Sequence, residues 1–102
     1  MWFTAGVLSN PATDAIMADT GPLSGAGSGS FRVVLGANIA TIGTIEHRNA
    51  ANNANINSQV IGCSANTIVV LTFPDTWADG ERVRLRLNVG IVGSTQASIF
   101  TF

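Results

Sequence analysis

Two side chains in this sequence have the chemistry of a nucleophile and a base, and each is the sole example of its kind: Cys63 and His47. A thiol beside an imidazole can yield a thiolate nucleophile. The surroundings of the cysteine, VIGCSAN, match no nucleophile signature, and cysteine is among the most buried residue types. The sequence therefore favours a His47 that is buried and bonded to backbone, or set at a subunit contact, over a catalytic dyad. One histidine and one cysteine do not complete a tetrahedral metal set without acids from elsewhere. The stretches GSGSF and GAGSGS look like phosphate loops, but they lack the lysine and the following helix which that mechanism requires. The expectation is no enzyme, no metal and no cofactor.

The other chemistry lies in ERVRLRLNV, where Arg82, Arg84 and Arg86 alternate with Val83, Leu85 and Leu87. Alternate residues of a strand face opposite sides of the sheet, so the aliphatic set points to a core and the arginines form a row on the other side. One reading of the row is an outward face kept soluble by charge. The other is an interface. Like charges repel along such a row, and the planar guanidinium fork is the side chain preferred at desolvated contacts with carboxylates. On that reading the arginines meet acidic groups of a neighbouring subunit or another protein. Arg32 and Arg48 extend the patch if their strands lie alongside. IEHRNA repeats the alternation, with Glu46 and Arg48 on one face and His47 on the other, which makes Glu46 a candidate reciprocal partner.

Trp77, in PDTWADGE, is the one aromatic residue in a polar stretch. It reads either as a cap folded over the open end of a core or as an anchor for a partner's pocket, where tryptophan is enriched. A sugar-stacking platform is a third use, weakened by the absence of any tyrosine.

Composition narrows the partners. Of 102 residues, 46% are hydrophobic and 11% charged, against about 25% charged in ordinary globular proteins. Mean hydropathy is +0.35. No apolar run approaches the roughly 20 residues of a membrane helix, and the opening lacks the features of a signal peptide. An apolar surplus with little charge to dilute it is expected to end up buried between subunits of an oligomer. The net charge of −1 gives no basic excess for nucleic acid, whose affinity rests largely on counterion release. The single cysteine excludes an intramolecular disulfide. The initial methionine and the lack of an N-glycosylation sequon suit a product made in a cytoplasm.

These residues need strands to position them. Val and Ile fill the runs, while Gly, Ser, Thr, Asn and Ala fill the spacers. Strands are predicted at 2–8, 31–37, 41–49, QVIGC, 66–73, RVRLRLNV and QASIFTF. The continuous run in NTIVVLTF suggests burial on both faces. DAIMADTGPL is ambiguous between a short helix and a turn. SGAGSGS reads as an exposed loop, AANNANINS as an uncharged loop, and PDTWADGE as a loop with an Asp-Gly turn. The fold class expected is all-β: a single antiparallel β-sandwich or jelly-roll-like barrel of six to eight short strands. Within one domain overall, residues 1–30 would supply a first strand and a flexible Gly/Ser-rich arm or loop, and 31–102 the core of the sandwich.

EHRNAANNANI (46–56), GERVRLR (80–86) and STQASIFTF (94–102), within a lysine-free, Gly/Ala/Thr-rich chain, resemble the decoration, or cement, proteins of tailed bacteriophages. The resemblance covers about the C-terminal two-thirds. It implies a compact β-rich, non-enzymatic structural protein of the virion that forms trimers on the outer capsid surface and clamps subunits of the major capsid protein. It also implies that the N-terminal third serves as an arm reaching a neighbour. Arg82, Arg84, Arg86, Arg48 and Glu46 would then be polar interface contacts and Trp77 an apolar anchor. The alternative is a carbohydrate- or receptor-binding sandwich of a phage tail or fibre.

Overall fold

In a computed structural model of the chain, residues 2–8, 14–88 and 95–101 are described, with side chains for 14–88 and 95–99. They form β1 (Trp2–Leu8), β2 (Ile16–Asp19), β3 (Gly27–Ala37), β4 (Thr41–Arg48), β5 (Asn55–Cys63), β6 (Thr67–Trp77), β7 (Arg82–Leu87) and β8 (Thr95–Thr101). The antiparallel pairings nest: β4 with β5, β3 with β6, β2 with β7, β1 with β8. The chain is one long antiparallel ribbon, turned back at the β4–β5 hairpin and wound around a core. Winding adds the β3–β8 and β4–β7 pairs and produces two four-stranded sheets, β1-β8-β3-β6 and β2-β7-β4-β5. This is the strand order of a jelly roll, within the antiparallel all-β sandwich class expected.

Alternation makes the core. Phe31, Val33 and Leu35 of β3 face Ile45 of β4, with Val83, Leu85 and Leu87 of β7 and Ile99 of β8 completing it, all with no exposed surface. Fully burying each such side chain is worth about 1.5–3 kcal/mol. The inward prediction for the β7 aliphatics holds, its burial alternating residue by residue.

Four expectations change. The Gly/Ser stretch is not an arm or loop throughout, because β3 already begins at Gly27 and pairs with β6 from Gly27–Trp77 onward. A Cβ on Gly27 would lie 2.9 Å from the Trp77 ring, so the close approach of that ring requires glycine there. The sandwich core is not confined to 31–102, since β1 is paired in one sheet and β2 in the other; residues 9–13 lie outside the described residues. DAIMADTGPL contains a strand, β2, with Met17 and Ala18 buried, followed by a turn in which Asp19 Oδ1 accepts from Gly21 N. Finally, β6 is not buried on both faces: Ile68 and Val70 are 65% and 55% exposed. The run is continuous in sequence, but β6 is an edge strand and only its inner set, Val69, Leu71 and Phe73, packs on the core.

Candidate functional site

β7 lies between β2 and β4, and the register sets Arg82 opposite Arg48, Arg84 opposite Glu46, and Arg86 opposite Thr44. The arginine row and Glu46 therefore share the outer face of one sheet. Arg32 does not join them: it lies on β3, in the other sheet.

Glu46 is the centre of this face. It is only 3% exposed although it points away from the core, because the arginine side chains cover it. Arg84 Nε donates to Oε1 at 2.7 Å, while Arg86 Nε and Asn55 Nδ2 donate to Oε2, both at 3.1 Å. Burial pushes the Glu46 carboxyl pKa up, but the hydrogen bonds from Arg84, Asn55 and Arg86 outweigh it and hold the group below its usual value. Arg86 is correspondingly raised, chiefly by Glu46, and its Nη1 also donates to Asp14 at 2.6 Å. Arg82 donates to Asp19 Oδ2 at 3.1 Å, and its buried Nε makes no hydrogen bond to the described residues. The acidic partners sought for the row thus occur within the chain. Arg84 keeps both Nη nitrogens free of hydrogen bonds to the described residues.

Arg48 organises the asparagine-rich turn. Its guanidinium donates to Asn52 Oδ1, the Asn52 carbonyl and Asn55 Oδ1. Asn49 and Asn53 bond each other in both directions, and Asn52 adopts φ 56°, a conformation asparagine tolerates. Uncharged side chains suffice here because they supply both donors and acceptors to the turn.

On the inner face His47 is 1% exposed and spans the sandwich. Its Nε2 lies 2.9 Å from Glu81 Oε1, and its Nδ1 lies 2.8 Å from Asp75 Oδ2 on β6. The second contact is close but makes no aligned hydrogen bond. A neutral imidazole has one N–H and cannot donate to both acids; the imidazolium can. Glu81 also accepts from Ala78 N at 2.7 Å, and this bond, then that of His47, lowers its pKa. Neither acid was legible as a partner of His47. The parity of β6 puts Asp75 on the inner face, a signal hidden by reading Pro74–Trp77 as loop.

Trp77 is half-buried, packed on the core, with its ring centroid 5.1 Å from that of Phe31 at 55°. It closes the sandwich end at the Asp79–Gly80 turn, where Gly80 takes φ 85°. Cys63 is buried and donates to the Thr67 carbonyl at 3.1 Å. It pairs with Thr41 across the sheet, six residues along β4 from His47, so about 20 Å separates the two along the strand. No Cys–His dyad forms. Among the described residues no group of three His, Cys, Asp or Glu side chains is arranged to hold a metal ion, and no helix is long and apolar enough to cross a membrane.

The remaining feature is apolar. Ile42, Ile56, Val60, Ile68 and Val70 are each between 45% and 65% exposed, but they divide between two faces: Ile42 and Val60 lie on the arginine-bearing outer face, Val60 opposite Thr44, whereas Ile68 and Val70 lie opposite Gly36 and Val34 on the outer face of the other sheet. Comparison with protein-family models and with curated proteins gives no match, so what these side chains do rests on their own geometry.

Proposed function

We propose that the protein is a non-enzymatic structural component of a virion, a decoration protein that self-associates on the outer surface of a tailed-phage capsid and clamps adjacent major capsid subunits. The observation that carries this reading is the set of exposed aliphatic side chains at the β5–β6 edge, Val60 beside the arginines on one outer face and Ile68 and Val70 on the other. The core is already filled by fully buried side chains, so these residues are surplus to folding. Exposed apolar patches of this kind mark protein contacts. The jelly roll supports the reading by architecture alone, since it recurs in capsid proteins. The resemblance noted above implies three copies per assembly. Arg82, Arg84, Arg86 and Arg48, held in position by their in-chain partners, form the face offered to the shell. The Nη edge of Arg84 is the group best placed to take a carboxylate there. Trp77 supplies no anchor on this reading, because its ring is committed to Phe31 and Gly27. The same commitment removes the main support for a sugar-binding platform.

The test is co-sedimentation of the purified protein with phage shells that lack it. Saturable binding, with a rise in the shell's thermal transition, is expected. A protein that stays in the supernatant at tens of micromolar would end the proposal.

A further inference from the structure

The stretch from Asn49 to Pro74 contains no charged residue, and it builds both β5 and β6. Exposed sheet edges are usually blunted by lysine, inward charges, bulges or short strands, because their unpaired N–H and C=O groups recruit other strands. β6 has 11 residues, pairs with β3 in unbroken register, and carries none of these devices before Pro74. Among the described strands nothing pairs with its outer edge, which is a pairing surface.

We propose that this edge pairs with the same edge of a second copy, antiparallel about a two-fold axis at Val70. The proposal rests on the self-association argued above and names its contact. Three observations select a second copy as the occupant. First, β6 is self-complementary. A two-fold at Val70 sets Val69 opposite Leu71 of the partner on the inner face, twice, and Val70 opposite its own copy on the outer face. Val69 and Leu71 are only partly buried and already pack on the core, so pairing extends that core across the axis. The ladder runs over Thr67–Phe73 and stops where Pro74 offers no N–H. Second, the strip carries no charge, so nothing repels when it meets itself, and it offers no charge to attract a polar partner. Third, the area allows a weak, reversible pair. The seven-residue ladder of β6 extends about 23 Å at about 3.3 Å per residue, and the short dimension of the molecule is 19 Å. That gives about 440 Å² per copy, or about 870 Å² in all, in the range of transient contacts and below that of permanent ones.

An isologous contact makes pairs, so the expected mass is twice the 10.6 kDa chain rather than the three copies that the resemblance implies. The experiment is light scattering on a sizing column for the wild type, V70K and I39K. It is joined by oxidative cross-linking of V70C in a C63S background. Val70 and Ile39 are 55% and 43% exposed, so neither lysine disturbs the core, and circular dichroism checks that the fold persists. Opposed residues in an antiparallel pair have Cα atoms about 4.5–5.5 Å apart, within disulfide reach.

The proposal expects a wild-type dimer, a monomeric V70K, an unchanged I39K, and a V70C that cross-links to itself. A trimer indifferent to V70K would overturn the edge contact while leaving self-association standing. A dimer that ignores V70K and does not cross-link would do the same. A wild-type monomer at high concentration would overturn both this inference and the self-association beneath it.

Discussion

Replacing Glu46 with alanine should destabilise the isolated domain far more than loss of a surface ion pair. Exposed pairs are worth about 0–1 kcal/mol. Glu46 is 3% exposed, however, and accepts three hydrogen bonds, two of them from guanidinium groups. Hydrogen bonds to charged groups contribute about 1.5–3 kcal/mol each, and breaking a fully buried pair costs about 3–5 kcal/mol. The Arg84 and Arg86 side chains are 17% and 27% exposed, so water recovers part of the loss. The expected cost is about 2–3 kcal/mol, which in a domain of this size lowers Tm by roughly 10–20 °C. Urea unfolding at neutral pH measures it, with m unchanged if the native fold persists. E46Q, which keeps the shape and removes the charge, should fall between wild type and E46A. The pH dependence follows from the same geometry. The folded-state pKa of Glu46 lies below its usual 4.5, so its contribution is complete above that pH and disappears as pH falls through the folded value. Wild type should therefore lose stability below pH 4.5 more steeply than E46Q. A loss of under about 0.5 kcal/mol in E46A, or parallel acid limbs for wild type and E46Q, would show that the arginine row does not depend on Glu46.

Other perturbations test the inner face and the ends. D75N should lower stability, because it replaces with an amide the carboxylate 2.8 Å from the buried His47 Nδ1; equal denaturation midpoints for D75N and wild type would make that contact idle. G27A should displace the Trp77 ring and cost about 1–3 kcal/mol through overpacking, read as a shifted fluorescence maximum in a W2F background; an unchanged spectrum would contradict the close approach. Cys63, 5% exposed, should react with a thiol reagent only at the rate of opening, and accelerate with denaturant. Rapid modification in native buffer would mean the thiol is accessible. Glu81 also sits below its usual 4.5, so E81Q should flatten the acid limb of the stability curve below that pH; an unaltered limb would exclude the Ala78 and His47 bonds as its cause.

Strand period carried most of what was legible in the sequence. β1 occupies the predicted 2–8, and the alternation in 82–87 placed the aliphatic set inside and the arginines outside before any fold was known. The sharing of one outer face by Glu46 and the arginines was half-legible: parity within each strand was visible, but the β4–β7 pairing joins segments far apart in the chain. Glycine and proline misled at both ends of β3 and β6. Glycine signals loops when read locally, yet Gly27 is in a strand because a tryptophan ring lies across it. Pro74 ends strands in a sheet interior but sits on an edge here, where its missing donor is harmless. The apolar run at 67–71 reads as a doubly buried strand because an unbroken run has no alternation to mark which face is exposed.

The distribution of charge explains why the two surfaces differ. Four of the five arginines lie on the outer face of the β2-β7-β4-β5 sheet beside Asp14, Asp19 and Glu46, while Asp75, Asp79 and Glu81 gather at the Trp77 end. Little charge is left for the rest, and none falls between Asn49 and Pro74. A row of arginines without its acids would attract any polyanion; with them, the face is nearly neutral and discriminates by geometry, through groups such as the Arg84 Nη edge. The uncharged β6 edge has the opposite character, with Ile68, Val70 and unpaired backbone but no long-range field. Association there should be slow to steer and insensitive to salt, whereas any docking through the arginine face should weaken as ionic strength rises. The two contacts can therefore be separated by salt alone. Self-association that survived at low salt and vanished at about 1 M, where the Debye length is near 3 Å, would assign it to the arginines and not to the edge.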